Sequence, residues 1–256
     1  MRKNKKLMVF LIIFILGAVM ALAGFADTKL LMSGDKINLN TAQMGDLDNP
    51  AIIEGEIDFV YGPFAILEQT EKTYGITTKK TETNFYIIGN FSDDMYAEWE
   101  NGTDEAAELD YFYVVLATSN KDKQAELDKA YDKWYSYLAN IYNAEAANEQ
   151  YGGNFQYDGE PPKVSVQFKG KTVEQMSDPE YEQYLNEAME DLGLESGDIA
   201  FLEIREGEVK KTTTYAIFFG GIALAVIGLI GAIASIISAA KKKKQAKEFD
   251  EAYGEF

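Results

Sequence analysis

The sequence predicts an α+β domain of about six strands and two helices, held between two transmembrane helices. Three observations predict it. Two apolar runs without a single charge lie at residues 7–25 and 215–240. Between them, several short segments alternate apolar and polar residues. Two further segments place apolar residues at steps of three and four between helix-capping residues.

Each apolar run reaches the ~18 residues that mark a spanning helix, and at ~1.5 Å per residue each can cross ~30 Å of hydrocarbon. Both are apolar on every side, which a soluble surface helix is not. The first run also fits a cleavable signal peptide, through its basic start (Arg2, Lys3, Lys5, Lys6) and the small-residue triplet Ala21-Leu22-Ala23. It is longer than the ~7–15 apolar residues usual in such peptides, so a retained helix is expected.

Orientation follows from charge. Arg2, Lys3, Lys5 and Lys6 precede the first run, while Lys241, Lys242, Lys243, Lys244 and Lys247 follow the second. The bias of Lys and Arg toward cytoplasmic flanks places residues 1–6 and the tail 241–256 inside a plasma membrane. A linker at 26–50 and the domain at 51–212 are then extracytoplasmic. The lysines also suit anionic lipid headgroups, so membrane lipid is an expected partner.

Small residues mark one face of each run. Gly221, Ala225, Gly228, Ala232, Ser235 and Ala239 recur at steps of four and three, and Gly17, Ala21 and Gly24 repeat the pattern in the first run. Such faces let membrane helices approach closely, so this face is expected to pack on the other span, on a second copy or on a protein partner.

The elements between the runs read in order. Residues 26–50 are polar, with little periodicity. Residues 52–62 alternate as a strand. Strands at 64–70 and 84–89 follow, joined by a threonine-rich segment read as a polar loop. Residues 111–118, dense in aromatic and β-branched side chains, form another strand. A helix over 121–150 carries the stripe Leu127, Tyr131, Trp134, Leu138, Ile141 and Tyr142, and Gly152 and Gly153 end it; Tyr135 falls off the stripe, toward the surface. Residues 163–170 alternate as a strand. Ser177 or Asp178 then caps a helix with Pro179 in its first turn and Gly193 past its end, burying Tyr181, Tyr184, Leu185, Ala188 and Leu192. A last strand over 198–209 feeds the second span.

Glu54, Gly55, Ile57, Phe64, Tyr86, Phe168, Gly170, Met176, Tyr184 and Leu185 stand in the patterns EGEIDFVYGPFA, NFYIIG, VQFKGKTVEQM and YEQYLNEA. On them the chain resembles a family of uncharacterised two-span membrane proteins from Firmicutes. That resemblance implies the topology and an extracytoplasmic α+β domain, with no assigned activity.

The chemistry is bounded by what is missing. The chain has no His and no Cys, which removes Ser-His-Asp and Cys-His nucleophiles, His- or Cys-bound zinc and thiol redox chemistry. Only Arg2 and Arg205 carry a guanidinium, so a bidentate anion clamp rests on Arg205 alone. Residues 26–214 hold 15 basic and 38 acidic residues, a net of −23, which repels nucleic acid. An acidic run at 93–110 contains Asp93, Asp94, Glu98, Glu100, Asp104, Glu105, Glu108 and Asp110; it has no match to the spacing of oxygens around a turn glycine in a calcium loop, and reads as a solvated loop. No catalytic, cofactor or metal residues are expected. The expected role is a non-enzymatic interaction or accessory protein of the bacterial envelope. A carboxylate-dependent cell-surface hydrolase and an extracellular ligand- or cation-binding module are the alternatives.

Overall fold

The computed structural model describes residues 5–34, 36–73, 76–89, 112–154, 157, 159–207 and 209–254. The acidic run at 93–110 lies outside the described residues. The chain divides into two compact units: the two ends, Met1–Gly34 with Val209–Phe256, and the middle, Asp35–Glu208.

In the first unit, α1 (Lys5–Ser33) packs along α4 (Lys211–Tyr253). Both are long and apolar enough to cross a membrane. At ~1.5 Å per residue α4 is ~65 Å long, about twice a hydrocarbon core, so the tail expected after residue 240 is a helical continuation through the lysines. Likewise α1 runs past residue 25 to Ser33, into the stretch read as a linker.

The second unit is a seven-stranded mixed sheet with two helices. Its strands are β1 (Lys36–Asn38), β2 (Ile52–Ile57), β3 (Phe59–Thr73), β4 (Ile76–Gly89), β5 (Tyr113–Thr118), β6 (Val166–Glu174) and β7 (Ile199–Glu206), and its helices are α2 (Lys121–Tyr151) and α3 (Pro179–Asp191). The hydrogen-bonded order is β1-β2-β6-β7-β5-β4-β3. The β1–β2 and β5–β7 pairs are parallel and the rest antiparallel. The α+β class therefore stands, with one strand more than expected.

Chain connectivity bends this sheet. β2 and β3 are consecutive through Asp58, yet they occupy the second and seventh places in the order. In a flat sheet those places lie ~24 Å apart at ~4.8 Å per strand, whereas Ile57 and Phe59 are within ~7 Å along the chain. The sheet must therefore curl until its two sides meet at Asp58. What reads as one alternating segment over 52–62 is two strands on either side of that crossing.

Strand alternation then splits the apolar residues between two helices. Ile53, Ile57, Val60, Tyr86, Ile88, Val114, Leu116 and Ile204 point to the face covered by α2, with Leu127, Ala130 and Trp134. Phe85, Ile87, Val115, Ala117 and Ile199 point to the other face, where α3 supplies Tyr181, Leu185, Ala188 and Met189. The helix ends are built as expected. Asn120 caps α2 through Asp122 N–H, Asp178 caps α3 through Glu180 and Tyr181 N–H, and Gly152 takes the left-handed conformation that closes α2.

Three local expectations change. The threonine-rich segment is strand: β3 and β4 stay paired from Ala65↔Phe85 out to Thr73↔Ile76, with Thr70 opposite Lys80 and Glu71 opposite Lys79. β-branched residues and opposite-charge cross-strand pairs favour pairing there. The 26–50 stretch contributes β1, and Leu39 just after it is buried in the α2-side core. The α2 stripe fades beyond Trp134: Leu138 and Tyr142 are exposed and Tyr137 packs instead, because the second half of the helix outruns the sheet it covers.

Candidate functional site

The helix seam is the first candidate. α1 and α4 are antiparallel: Phe14 meets Gly228, Gly17 meets Ala225, Ala21 meets Gly221, and Gly24 meets Phe218. Each step forward on α1 is a step back on α4. The approach is close enough to exclude side chains. A Cβ on Gly17 would stand 2.7 Å from the Gly221 carbonyl oxygen, and one on Gly228 would stand 2.7 Å from Phe14 Cα. Gly17, Gly24, Gly221, Gly228 and Ala232 are buried, and Ala21, Ala225 and Ser235 are half-buried. Ala239 is exposed.

Sequence reading missed Gly231, whose added Cβ would run into the Phe10 ring. It also missed the large partners. The Phe10 ring lies against Gly231 and the Phe14 backbone against Gly228, while Phe218 lies opposite Gly24. This large-against-small match was readable only once the register was known. Away from the seam the apolar side chains are open, among them Ile12, Ile15, Leu16, Val19, Val226, Ile227, Ile230 and Ile233. Lys241, Lys242, Lys243 and Lys244 are exposed along α4, with Lys244 3.7 Å from Glu248 one turn on.

Among the described residues of the sheet unit, titratable groups come together at several places. Glu203 on β7 is fully buried, with Arg205 Nε at 3.2 Å from its Oε1. Burial raises its pKa, against the lowering by Arg205. The buried Tyr181 phenol lies near it, its pKa raised by burial first and by Glu203 second. Behind α2, the Tyr86 hydroxyl donates to Asp128 Oδ1 at 2.7 Å, and burial, then that bond, raise the phenol.

The third place is the outer edge of β3, where α2 and α3 both come against the strand. A cavity of ≈ 210 Å³ is lined there by Tyr61, Phe64, Tyr131, Tyr184, Glu187 and Asp191, with Gly62 and Pro63 at its base. Tyr61 and Tyr131 meet edge to face at 5.6 Å. The Tyr61 hydroxyl donates to Asp191 Oδ2 at 2.7 Å, and burial, then this bond, hold the phenol in its neutral form. A second cavity of ≈ 210 Å³ continues along the same strand past Ala65, Ile66 and Leu67 to Tyr181 and Tyr184. A wider polar depression of ≈ 460 Å³ lies over β1, β2 and β6, where Lys36 and Lys169 reach Glu54. Among the described residues no three Asp or Glu side chains converge as metal ligands do.

The expected burial of Tyr184 on α3 is not met: it is 40% exposed, at the cavity, and Met189 takes the core position. Nothing in the sequence marks Tyr61, Tyr131 and Tyr184 as neighbours, since they come from three elements. Tyr135 is exposed, beside Tyr131.

The family model described as a domain of unknown function (DUF8577) matches residues 1–238, and the chain belongs to that family. No curated protein matches the chain.

Proposed function

We propose that this member of the family is a two-span protein of a bacterial plasma membrane that holds its curled-sheet domain on the outer surface as a non-enzymatic binding module. The observation that carries the reading is the surface of the paired helices. Their seam is closed by backbone contact, while most of their apolar side chains stay open. An open apolar surface of this extent belongs in hydrocarbon rather than water.

The same seam supports retention of the first span, because Gly17, Ala21 and Gly24 complete a surface that α4 otherwise leaves open. Antiparallel pairing puts Lys5 and Lys6 at the same end of the pair as the lysines after residue 240, which suits the positive-inside bias. The acidic middle segment, net −23, then lies on the other side, away from the anionic inner leaflet.

The interaction role is tested with photo-reactive residues in place of the exposed Tyr142 and Phe201 in the full chain, in its native membrane. A discrete adduct with one envelope protein is the expected result. Diffuse or absent adducts from both positions contradict an interaction role.

A further inference from the structure

The cavity at the outer edge of β3 has a composition that selects a ligand. Three phenol rings and one phenyl ring form its walls, two carboxylates stand at its rim, and no basic residue lines it. Among the described residues no Lys or Arg pairs with Glu187 or Asp191. Two of the rings are held in place, Tyr61 by its bond to Asp191 and Tyr131 by its edge-to-face packing on Tyr61. Glu187 is held by Gln183, whose Nε2 donates to it at 2.8 Å.

We infer that this cavity binds an organic cation, the ammonium head of an alkylammonium compound or of a lysine side chain. Aromatic rings attract a cation held within ~6 Å of a ring centroid, and four such rings line this cavity. The two carboxylates supply the opposite charge, and both lie on α3 one turn apart, so they face the cavity together. A bare metal ion suits the site less well. It needs several oxygens in its first shell, whereas an alkylated ammonium can exchange part of its weak hydration for ring contact. A cavity of ≈ 210 Å³ has room for a small ammonium head.

The inference deepens the binding-module reading and rests on it only in requiring the domain to be a binding surface. The full chain, in lipid nanodiscs, is titrated by saturation-transfer NMR with choline and with Nα-acetyl-lysine amide, against sodium chloride at matched ionic strength. At least one ammonium probe is expected to saturate below ~50 mM, in line with cation–π contacts at a partly exposed site. Asp191→Asn, which keeps an acceptor for the Tyr61 hydroxyl, and Tyr131→Leu are each expected to weaken it about tenfold or more, while Tyr142→Leu leaves it unchanged. The tighter probe names the source: choline a free or lipid-borne head, the lysine amide a polypeptide.

No saturation by either probe overturns the inference, as does equal competition by sodium. So does unchanged binding in both cavity variants, each checked for an unaltered unfolding midpoint. A discrete photo-adduct without ammonium binding removes the cation site and leaves the binding module standing. Ammonium binding without an adduct does the reverse for the protein partner.

Discussion

The Trp134 indole N–H donates to the Asp58 carbonyl oxygen at 2.7 Å, so the most buried aromatic of α2 is tied to the single residue at which the sheet crosses from one side to the other. Its ring also meets Phe59 at 5.2 Å, on the strand that begins there. The bond fixes the crossing and the helix together.

Trp134→Ala is therefore expected to destabilise the sheet unit by about 3–5 kcal/mol, the range for a large aromatic removed from a core. Trp134→Phe should cost less, about 1–2 kcal/mol, through the lost indole bond and volume. Leu138→Ala, one turn on and exposed, should stay within about 0.5 kcal/mol. Urea unfolding followed by circular dichroism orders the three. A Leu138→Ala loss as large as that of Trp134→Ala would contradict the account of where the core ends.

How much of this was legible in the sequence depends on range. The two apolar helices and the caps at Asp178 and Gly152 are local patterns with fixed periods, and they read directly. The crossing at Asp58 did not, because the alternation runs through it and only the pairing of β2 with β6 and β3 with β4 reveals two strands. β1 was missed because three residues carry no period. The threonine-rich hairpin read as a loop since polar residues face both sides of it. The Tyr61–Tyr131–Tyr184 cavity is a product of that long-range topology.

The helix seam yields a crosslinking prediction. A Cβ at residue 24 would stand 3.1 Å from that of Phe218, near the ~3.5–4.5 Å of a disulfide. The chain has no native Cys, so Gly24→Cys with Phe218→Cys should oxidise within one chain in high yield. Adding Gly17→Ile and Gly228→Ile should sharply reduce that yield, whereas Ile227→Leu on the open side should not. An equal yield in all three would mean the small residues do not set the approach.

Thr172 predicts how firmly the segment before β2 is held. Its Oγ1 accepts from Ala51 N–H at 2.7 Å and donates to the Asp48 carbonyl at 2.6 Å, and the residue is fully buried. Thr172→Val keeps the shape and removes both bonds, so a loss of about 1–3 kcal/mol is expected. Faster amide exchange at Ala51 is expected to accompany it. Unchanged exchange there would show that the segment is held by other contacts.

Glu203 predicts a pH dependence. Burial raises its carboxyl in the folded state above the unfolded value, so the folded protein binds the proton more tightly. Its stabilising contribution is then complete below the unfolded carboxylate pKa and is lost as pH rises through the raised folded value. Glu203→Gln should flatten that part of the stability profile relative to the parent and leave the higher-pH variant no less stable. A profile parallel to that of the parent across the whole range would place the charge elsewhere.

The central claim is that the two spans hold the sheet domain on the outer side of the membrane with both flanks inside. Single cysteines at Ser33, Asn154 and Ala246 in the otherwise cysteine-free chain, exposed to a membrane-impermeant thiol reagent, test it most directly. The account predicts that 33 and 154 label in intact cells, and that 246 labels only after permeabilisation. Labelling at 246 in intact cells, or none at 33 and 154, would contradict it.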